Sequence, residues 1–346
     1  MNIIELNFSK PTKSVPNFGI ELLKSTLYFF ILVYHCYDQN LSENKILKII
    51  LDAIPLYYPA LCFIFFYFSY SHLTNKNLIQ IQKRFLKLIV PYIIWPSIFY
   101  LINYLSTDRR TIKYTFKDFL IQIIIGRGIT CVFWFPFNLI IINIIFCLVI
   151  FSTKHYRMRI LFIILFISYI SEYLGIIEIL MENYSDNIKR SVGRLFRMAS
   201  YSIIGFSFAS LKILPIIKNK RIICLCISFL FTFLVFFFKL YNSMTHFYEG
   251  IFINIGIISI FIFFYMLPFE HITFGPLIFI IKQITSYSSG IYYIHIKIID
   301  YFKDSFHAFE EKTLVGCALN YIISYFICFI GMKMFGRTIL KYLFIR

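Results

Sequence analysis

Charge is scarce in this sequence. Only 15% of the 346 residues are Asp, Glu, Lys or Arg, while 59% are hydrophobic and the mean hydropathy is +0.75. Soluble domains carry about a quarter charged residues, so the scarcity excludes an ordinary soluble protein and implies an integral membrane chain. Acidic residues are the scarcer sign, 17 against 34 Lys and Arg. The apolar/polar alternation of barrel strands is missing, because the apolar runs are long and continuous. No period of 20 to 50 residues repeats, and no polar linker divides the chain. The expectation is one domain over residues 1–346, without an appended soluble domain. A Gly-rich phosphate loop, a zinc-ligand spacing and a serine-nucleophile elbow are all absent from the sequence. Residues 1–20, with Glu5, Lys10, Pro11, Lys13 and Pro16, lack the apolar core of a cleavable signal peptide, so the first helix is expected to stay as an anchor. The eight cysteines fall mostly inside apolar runs and form no paired metal spacing, which makes them small core hydrophobes and predicts no metal site.

What the sequence does contain is a series of apolar runs separated by short polar loops. Ten spans are predicted, at 20–37, 53–71, 88–105, 131–152, 159–178, 197–214, 221–240, 250–268, 284–300 and 313–333. The last but one has room to begin as an interfacial helix near Gly275. Most meet the length of about 20 residues that a bilayer requires. The expected fold is therefore all-α, a polytopic membrane helical bundle of about ten transmembrane helices. The net charge of +17 sits at the ends of apolar runs, where it suits membrane lipid headgroups and topology rather than nucleic acid. Lys and Arg are slightly more numerous on the side of the two termini, which favours cytoplasmic termini. The loop 106–130 runs against this trend with Arg109, Arg110, Lys113, Lys117 and Arg127. Either a span is miscounted there, or this outer basic loop meets an anionic, lipid-diphosphate-linked acceptor.

The first span is the chemically unusual one. It carries Glu21, Lys24 and His35 within an otherwise apolar run. Eleven residues separate Lys24 from His35, which brings them to nearly the same helix face about 16 Å apart along the axis. Ionisable groups in a membrane helix are costly and mark functional sites by default. His35 is a candidate general base, since imidazole titrates near neutrality, and Asp38, three residues on, is placed to orient it. The alternative is that His35 only hydrogen-bonds inside a polar bundle interior or at the outer interface. Glu21 is placed to pair with Lys24.

Further motifs follow in order. A basic run leads to a proline, Lys83-Arg84-Phe85-Leu86-Lys87-Leu88-Ile89-Val90-Pro91-Tyr92. A Trp134-Phe135 pair opens the fourth span, Arg194 through Gly205 leads into the sixth, and the ninth carries Ser288-Ser289-Gly290-Ile291-Tyr292-Tyr293-Ile294-His295. In this order, and with the Lys24–His35 spacing, the chain resembles the acyltransferase 3 family, membrane enzymes that acylate sugars and related acceptors, over nearly its whole length. Lys24 and Lys87 stand where the family prefers Arg, which exchanges a planar fork for a point charge. Phe133 stands where many relatives carry His.

The resemblance implies an inner-membrane O-acyltransferase of bacteria. It would move an acyl group, most simply acetyl, from acyl-coenzyme A to a hydroxyl of a lipid-linked or polymeric saccharide such as O-antigen, capsule or exopolysaccharide. His35, Lys24 and Asp38 would then be catalytic, and Lys24, Arg84 and Lys87 would meet the phosphates of coenzyme A. Topology alone also accumulates Lys and Arg at such positions. Ser288, Tyr292 and His295 share one helix face and either line the acceptor side or hold the first helix in place. Trp134 fits an interfacial or packing role, and Glu172 a buried pair with Arg194 or Arg197. A polysaccharide polymerase and a non-enzymatic flippase are the competing classes. The former usually has a longer outer loop than 106–130, and the latter broken helices at matching positions of internal repeats.

Overall fold

A computed structural model describes residues 17–36, 56–105, 115–126, 132–152, 156–173, 179, 186–241, 246–267, 275–302 and 313–344. Among these residues the chain is all-helical, with no strand. Runs this rich in Leu, Ile and Phe leave the backbone no water to bond to once buried, and a helix satisfies every N–H and C=O within its own segment. In chain order the helices are α1 (Phe18–Cys36), α2 (Tyr57–Thr74), α3 (Leu78–Leu105), α4 (Phe116–Ile124), α5 (Trp134–Ser152), α6 (Arg157–Tyr173), α7 (Asp186–Ser210), α8 (Ile213–Lys218), α9 (Arg221–Tyr241), α10 (His246–Met266), α11 (Gly275–Phe302) and α12 (Leu314–Phe335). A 3-10 segment, Ile339–Leu343, follows.

Four of these helices, α1, α3, α5 and α12, are long and apolar enough to cross a membrane. Large apolar side chains also stand exposed around the bundle, among them Leu148, Phe166, Ile222, Phe229 and Phe326. Exposed apolar surface on this scale marks an interaction surface.

Each predicted span overlaps one long helix, but several helices extend well past the apolar run. α3 starts at Leu78 rather than 88, and α7 at Asp186 rather than 197. The extra turns are polar (Gln80, Lys83 and Arg84 in α3; Lys189 and Arg190 in α7), so a search for apolar length passes over them. The loop 106–130 contains a helix of its own. Thr115 and Asp118 form a reciprocal capping box at the start of α4: the Asp118 N–H donates to Thr115 Oγ1 at 3.1 Å, and the Thr115 N–H donates to Asp118 Oδ2 at 3.2 Å. Tyr92 anchors the other end of α4 by donating its hydroxyl to the carbonyl of Ile123.

Contacts between neighbours fix the helix directions. On α1 and α2, Phe30 stacks on Tyr57 while Lys24 lies over Phe68, so the two helices are antiparallel. α2 and α5 are parallel, with Tyr58 against Trp134 and Phe66 against Phe146. α1 and α11 are also parallel, since Ser25 meets Thr285 and His35 meets His295. α12 runs back against α11, with Asn320 near His295 and Tyr325 near Tyr287. The start of α1 is tied to the end of α10, where the Asn17 side chain caps Ile20 N–H at 3.1 Å and donates to Tyr265 O at 3.1 Å. The C-terminal segment closes over α3, where Trp95 Nε1–H donates to Leu343 O at 3.1 Å.

The broadest packing joins α2 to α7. It depends on Gly205, where a Cβ would fall 2.3 Å from the carbonyl oxygen of Phe63. Small residues allow such backbone approach between helices. Gly205→Ala is therefore expected to destabilise the protein by about 1–3 kcal/mol. Gly193→Ala on the same helix, with nothing within 4 Å of the added carbon, should leave stability unchanged or slightly raised. Thermal unfolding of the two purified variants in detergent compares them directly.

Candidate functional site

α1 presents Lys24, Tyr28 and His35 along one stripe, at helical spacings of four and seven residues. The parallel α11 supplies the facing stripe of Ser289, Tyr292 and His295. Tyr28 and Tyr292 meet edge to face, with ring centroids 5.8 Å apart. They lie between two distinct polar groups, a basic cleft beside Lys24 and a pair of imidazoles farther along both helices.

The cleft has a volume of about 290 Å³ and is lined by Lys24, Tyr28, Phe68, His72, Gln80, Arg84, Lys87, Ser289 and Tyr292 among others. The three cations expected to meet a phosphate-bearing donor therefore share one cavity, although they come from α1 and α3. Lys24 is almost fully buried, and an ammonium group in that setting is costly unless compensated. Its Nζ bonds Glu21 Oε1 at 2.7 Å and lies 4.9 Å from the centroid of the Phe68 ring. Arg84 also ties two helices together. Its guanidinium donates to Phe65 O at 2.8 Å and Phe68 O at 3.1 Å and lies over the Phe65 ring, which fastens α3 to α2.

The imidazole pair is formed by His35 and His295, whose ring centroids are 5.3 Å apart. His295 is completely buried, and its Nδ1 lies 2.8 Å from Tyr292 O and 3.3 Å from Ile291 O. A carbonyl oxygen only accepts, so Nδ1 carries the proton and Nε2 keeps the lone pair in the neutral ring. Nε2 of both rings is enclosed and has no hydrogen-bond partner among the described residues. Asn320 of α12 stabilises this end by donating to His295 O at 2.9 Å and to Cys36 Sγ at 3.1 Å, while accepting from Ser324 Oγ–H at 3.1 Å.

The other expected residues have more local roles. Asp38 lies outside the described residues, as do Arg109, Arg110, Lys113 and Arg127, and the Glu172 side chain is likewise outside them. Ser288 does not line the cleft; its hydroxyl donates to Thr285 O of its own helix at 2.9 Å, and Ser289 is the serine that faces the cavity. Tyr292 borders the basic cleft and donates to Val132 O at 2.7 Å. Trp134 packs between Tyr58, at 4.8 Å, and the Arg194 guanidinium, at 4.7 Å. Sequence reasoning passed over Tyr28, His72, Gln80 and Asn320. Tyr28 had a signal, since it sits one turn beyond Lys24 on the same stripe. Asn320 had none before the α11–α12 pairing was known.

The Arg84 bonds lead to a direct expectation. Arg84→Lys keeps the charge but cannot bridge two carbonyls, so it should cost about 1 kcal/mol of stability. Lys83→Arg, at an exposed position on the same turn, should cost nothing. Thermal midpoints of the purified proteins provide the comparison.

Comparison of the chain with protein-family models, with curated proteins and with solved structures finds no match in any of the three.

Proposed function

We propose that this chain is a membrane O-acyltransferase of the acyltransferase 3 type, carrying an acyl group, most simply acetyl, from acyl-coenzyme A to a sugar hydroxyl of a bacterial surface polysaccharide. One observation carries the proposal. The same two parallel helices that wall a basic cleft at one end bring two imidazoles together at the other. Acyl transfer from a thioester needs both ends, a cationic seat for a phosphate-bearing donor and a base for a hydroxyl that is a poor nucleophile by itself.

In this reading ten helices span the inner membrane and both termini are cytoplasmic. The helix directions established above are compatible with that count. α1 and α11, the first and ninth of the ten, run parallel, as two odd-numbered spans must. The Lys24, Arg84 and Lys87 end then faces the cytoplasm, where acyl-coenzyme A is available, and the saccharide approaches the His35 end. His35 takes the hydroxyl proton as the oxygen bonds to the thioester carbonyl carbon. Collapse of the tetrahedral intermediate breaks the C–S bond, and the proton passes to the departing thiolate, leaving an ester and coenzyme A. The ammonium of Lys24 and the charge of Lys87 offer the donor phosphates point charges.

The test is a host lacking the gene, complemented with wild type or His35→Ala at matched membrane levels, with polysaccharide O-acetyl content read by NMR. Wild type should restore acetylation and His35→Ala should not; normal acetylation by the variant would remove His35 from the chemistry. A polymer of normal length that lacks acetyl groups in the deletion strain supports acyl transfer. A shortened polymer instead indicates a polymerase, and loss of all surface polymer a flippase. Lys24→Arg is expected to retain activity and Lys24→Ala to raise KM for acyl-coenzyme A at least about tenfold. An Ala variant with unchanged KM would take Lys24 out of the donor seat.

A further inference from the structure

Acyl transfer by His35 requires something to hold its ring, and the neighbouring helix offers a candidate. We infer that His295 is the positioning residue for His35, accepting the His35 ring N–H on its Nε2 while His35 works on the acceptor hydroxyl. The inference rests on the acyl-transfer reading and assigns a role that the chain's sequence left between substrate contact and structure.

Three observations carry it. The rings are neighbours, with centroids 5.3 Å apart and planes tilted by 39°. The His295 tautomer is fixed by its Nδ1–H donating to Tyr292 O at 2.8 Å, which leaves a lone pair on Nε2. Nε2 of each ring is enclosed and has no partner among the described residues, although buried polar atoms are nearly always hydrogen-bonded. At this centroid separation the two Nε2 atoms reach hydrogen-bond distance when both point along the line between the rings, and that orientation completes a relay of Tyr292 carbonyl, His295 and His35. In that relay the His35 Nε2–H donates to His295, leaving Nδ1 of His35 to take the hydroxyl proton. This follows the general arrangement in which a base is oriented by a third group. The proton inventory closes. The hydroxyl proton moves to His35 as the O–C bond forms and leaves for the coenzyme A sulfur as the C–S bond breaks, while the proton shared with His295 stays with the pair.

The arrangement of the site supports a positioning role over substrate contact. His295 is completely buried beneath His35, and its carbonyl is held by Asn320 at 2.9 Å. A rigid, enclosed acceptor of fixed tautomer suits orientation of a more accessible base.

The experiment measures acyl-coenzyme A-dependent transfer by the purified full-length protein in lipid nanodiscs, using a saccharide extracted from the deletion strain as acceptor. His295→Leu is expected to lower kcat about a hundredfold or more while leaving KM for both substrates unchanged. His295→Gln, whose amide oxygen offers an acceptor in a similar place, should recover at least about tenfold of that loss. The double variant His35→Ala/His295→Leu should be no slower than His35→Ala, because residues acting as a unit are not additive. A purely structural residue would instead raise KM, lower the thermal midpoint of both His295 variants and gain nothing from Gln. Wild-type kcat in His295→Leu, or a hundredfold loss confined to Asp38→Asn, overturns the inference and leaves the proposed function standing. A wild-type protein without acyl-coenzyme A-dependent transfer overturns both.

Discussion

The seam between α1 and α11 is the contact on which the rest of the molecule depends. It is polar at three levels. Ser25 donates to Thr285 Oγ1 at 3.1 Å, Tyr28 meets Tyr292, and His35 faces His295. Polar side chains inside such a bundle are costly singly and stabilising when matched. The register seen pairs these groups like with like, and a one-turn slip would separate the two histidines and the two tyrosines from each other. Buried Lys24, paired with Glu21 of its own helix, adds a contact on the α2 side, where its ammonium lies over the Phe68 ring. Polar matching on one face and the Lys24 contact on the other both restrain the position of α1.

A parallel pair so far apart in sequence also shapes the topology. Hairpin-connected helices are antiparallel, so α1 and α11 become neighbours with a common direction only if the chain reverses an even number of times between them. The remaining helices fill the space that this creates. α2 and α7 approach closely at Gly205, α10 holds the start of α1 through Asn17, and α12 returns along α11 to bring Asn320 beneath the histidine pair. The aromatic side chains act as spacers. Phe63, Phe66, Phe146, Phe206 and Phe261 are fully buried and meet mostly edge to face or tilted, geometries that favour aromatic pairs.

The helices were legible in the sequence because apolar length is a strong one-dimensional signal. Their ends were not, wherever a helix continued as a polar or amphipathic stretch. The first three turns of α3 carry Gln80, Lys83, Arg84 and Lys87, and the first turns of α7 carry Lys189 and Arg190; each reads as a loop if only hydropathy is followed. The α4 helix left a different trace in Thr115-x-x-Asp118, a capping signature too short to weigh against a polar surrounding. In the candidate site, residues on one helix were legible and pairs between helices were not. Lys24 and His35 stood out because their spacing lies within α1. The approach of His295 to His35, and of Arg84 and Lys87 to Lys24, depends on which helices are neighbours, and no local spacing encodes that.

The cleft also gives a physical account of the lysines that stand where arginine is expected from the resemblance. An arginine earns its place over lysine where its planar fork meets two oxygens at once. Here that geometry is already used by Arg84, whose two terminal nitrogens hold the carbonyls of Phe65 and Phe68 and thereby set the distance between α2 and α3. The fork builds the wall of the cleft. In the proposed acyl-transfer reading, Lys24 and Lys87 supply positive charge to its interior, a task for which a compact ammonium on a flexible stem is adequate. Recognition by such a seat depends on the charge of a phosphate-bearing ligand more than on its exact orientation. In the same reading, the orienting task falls to the tyrosine and histidine pairs farther along the seam.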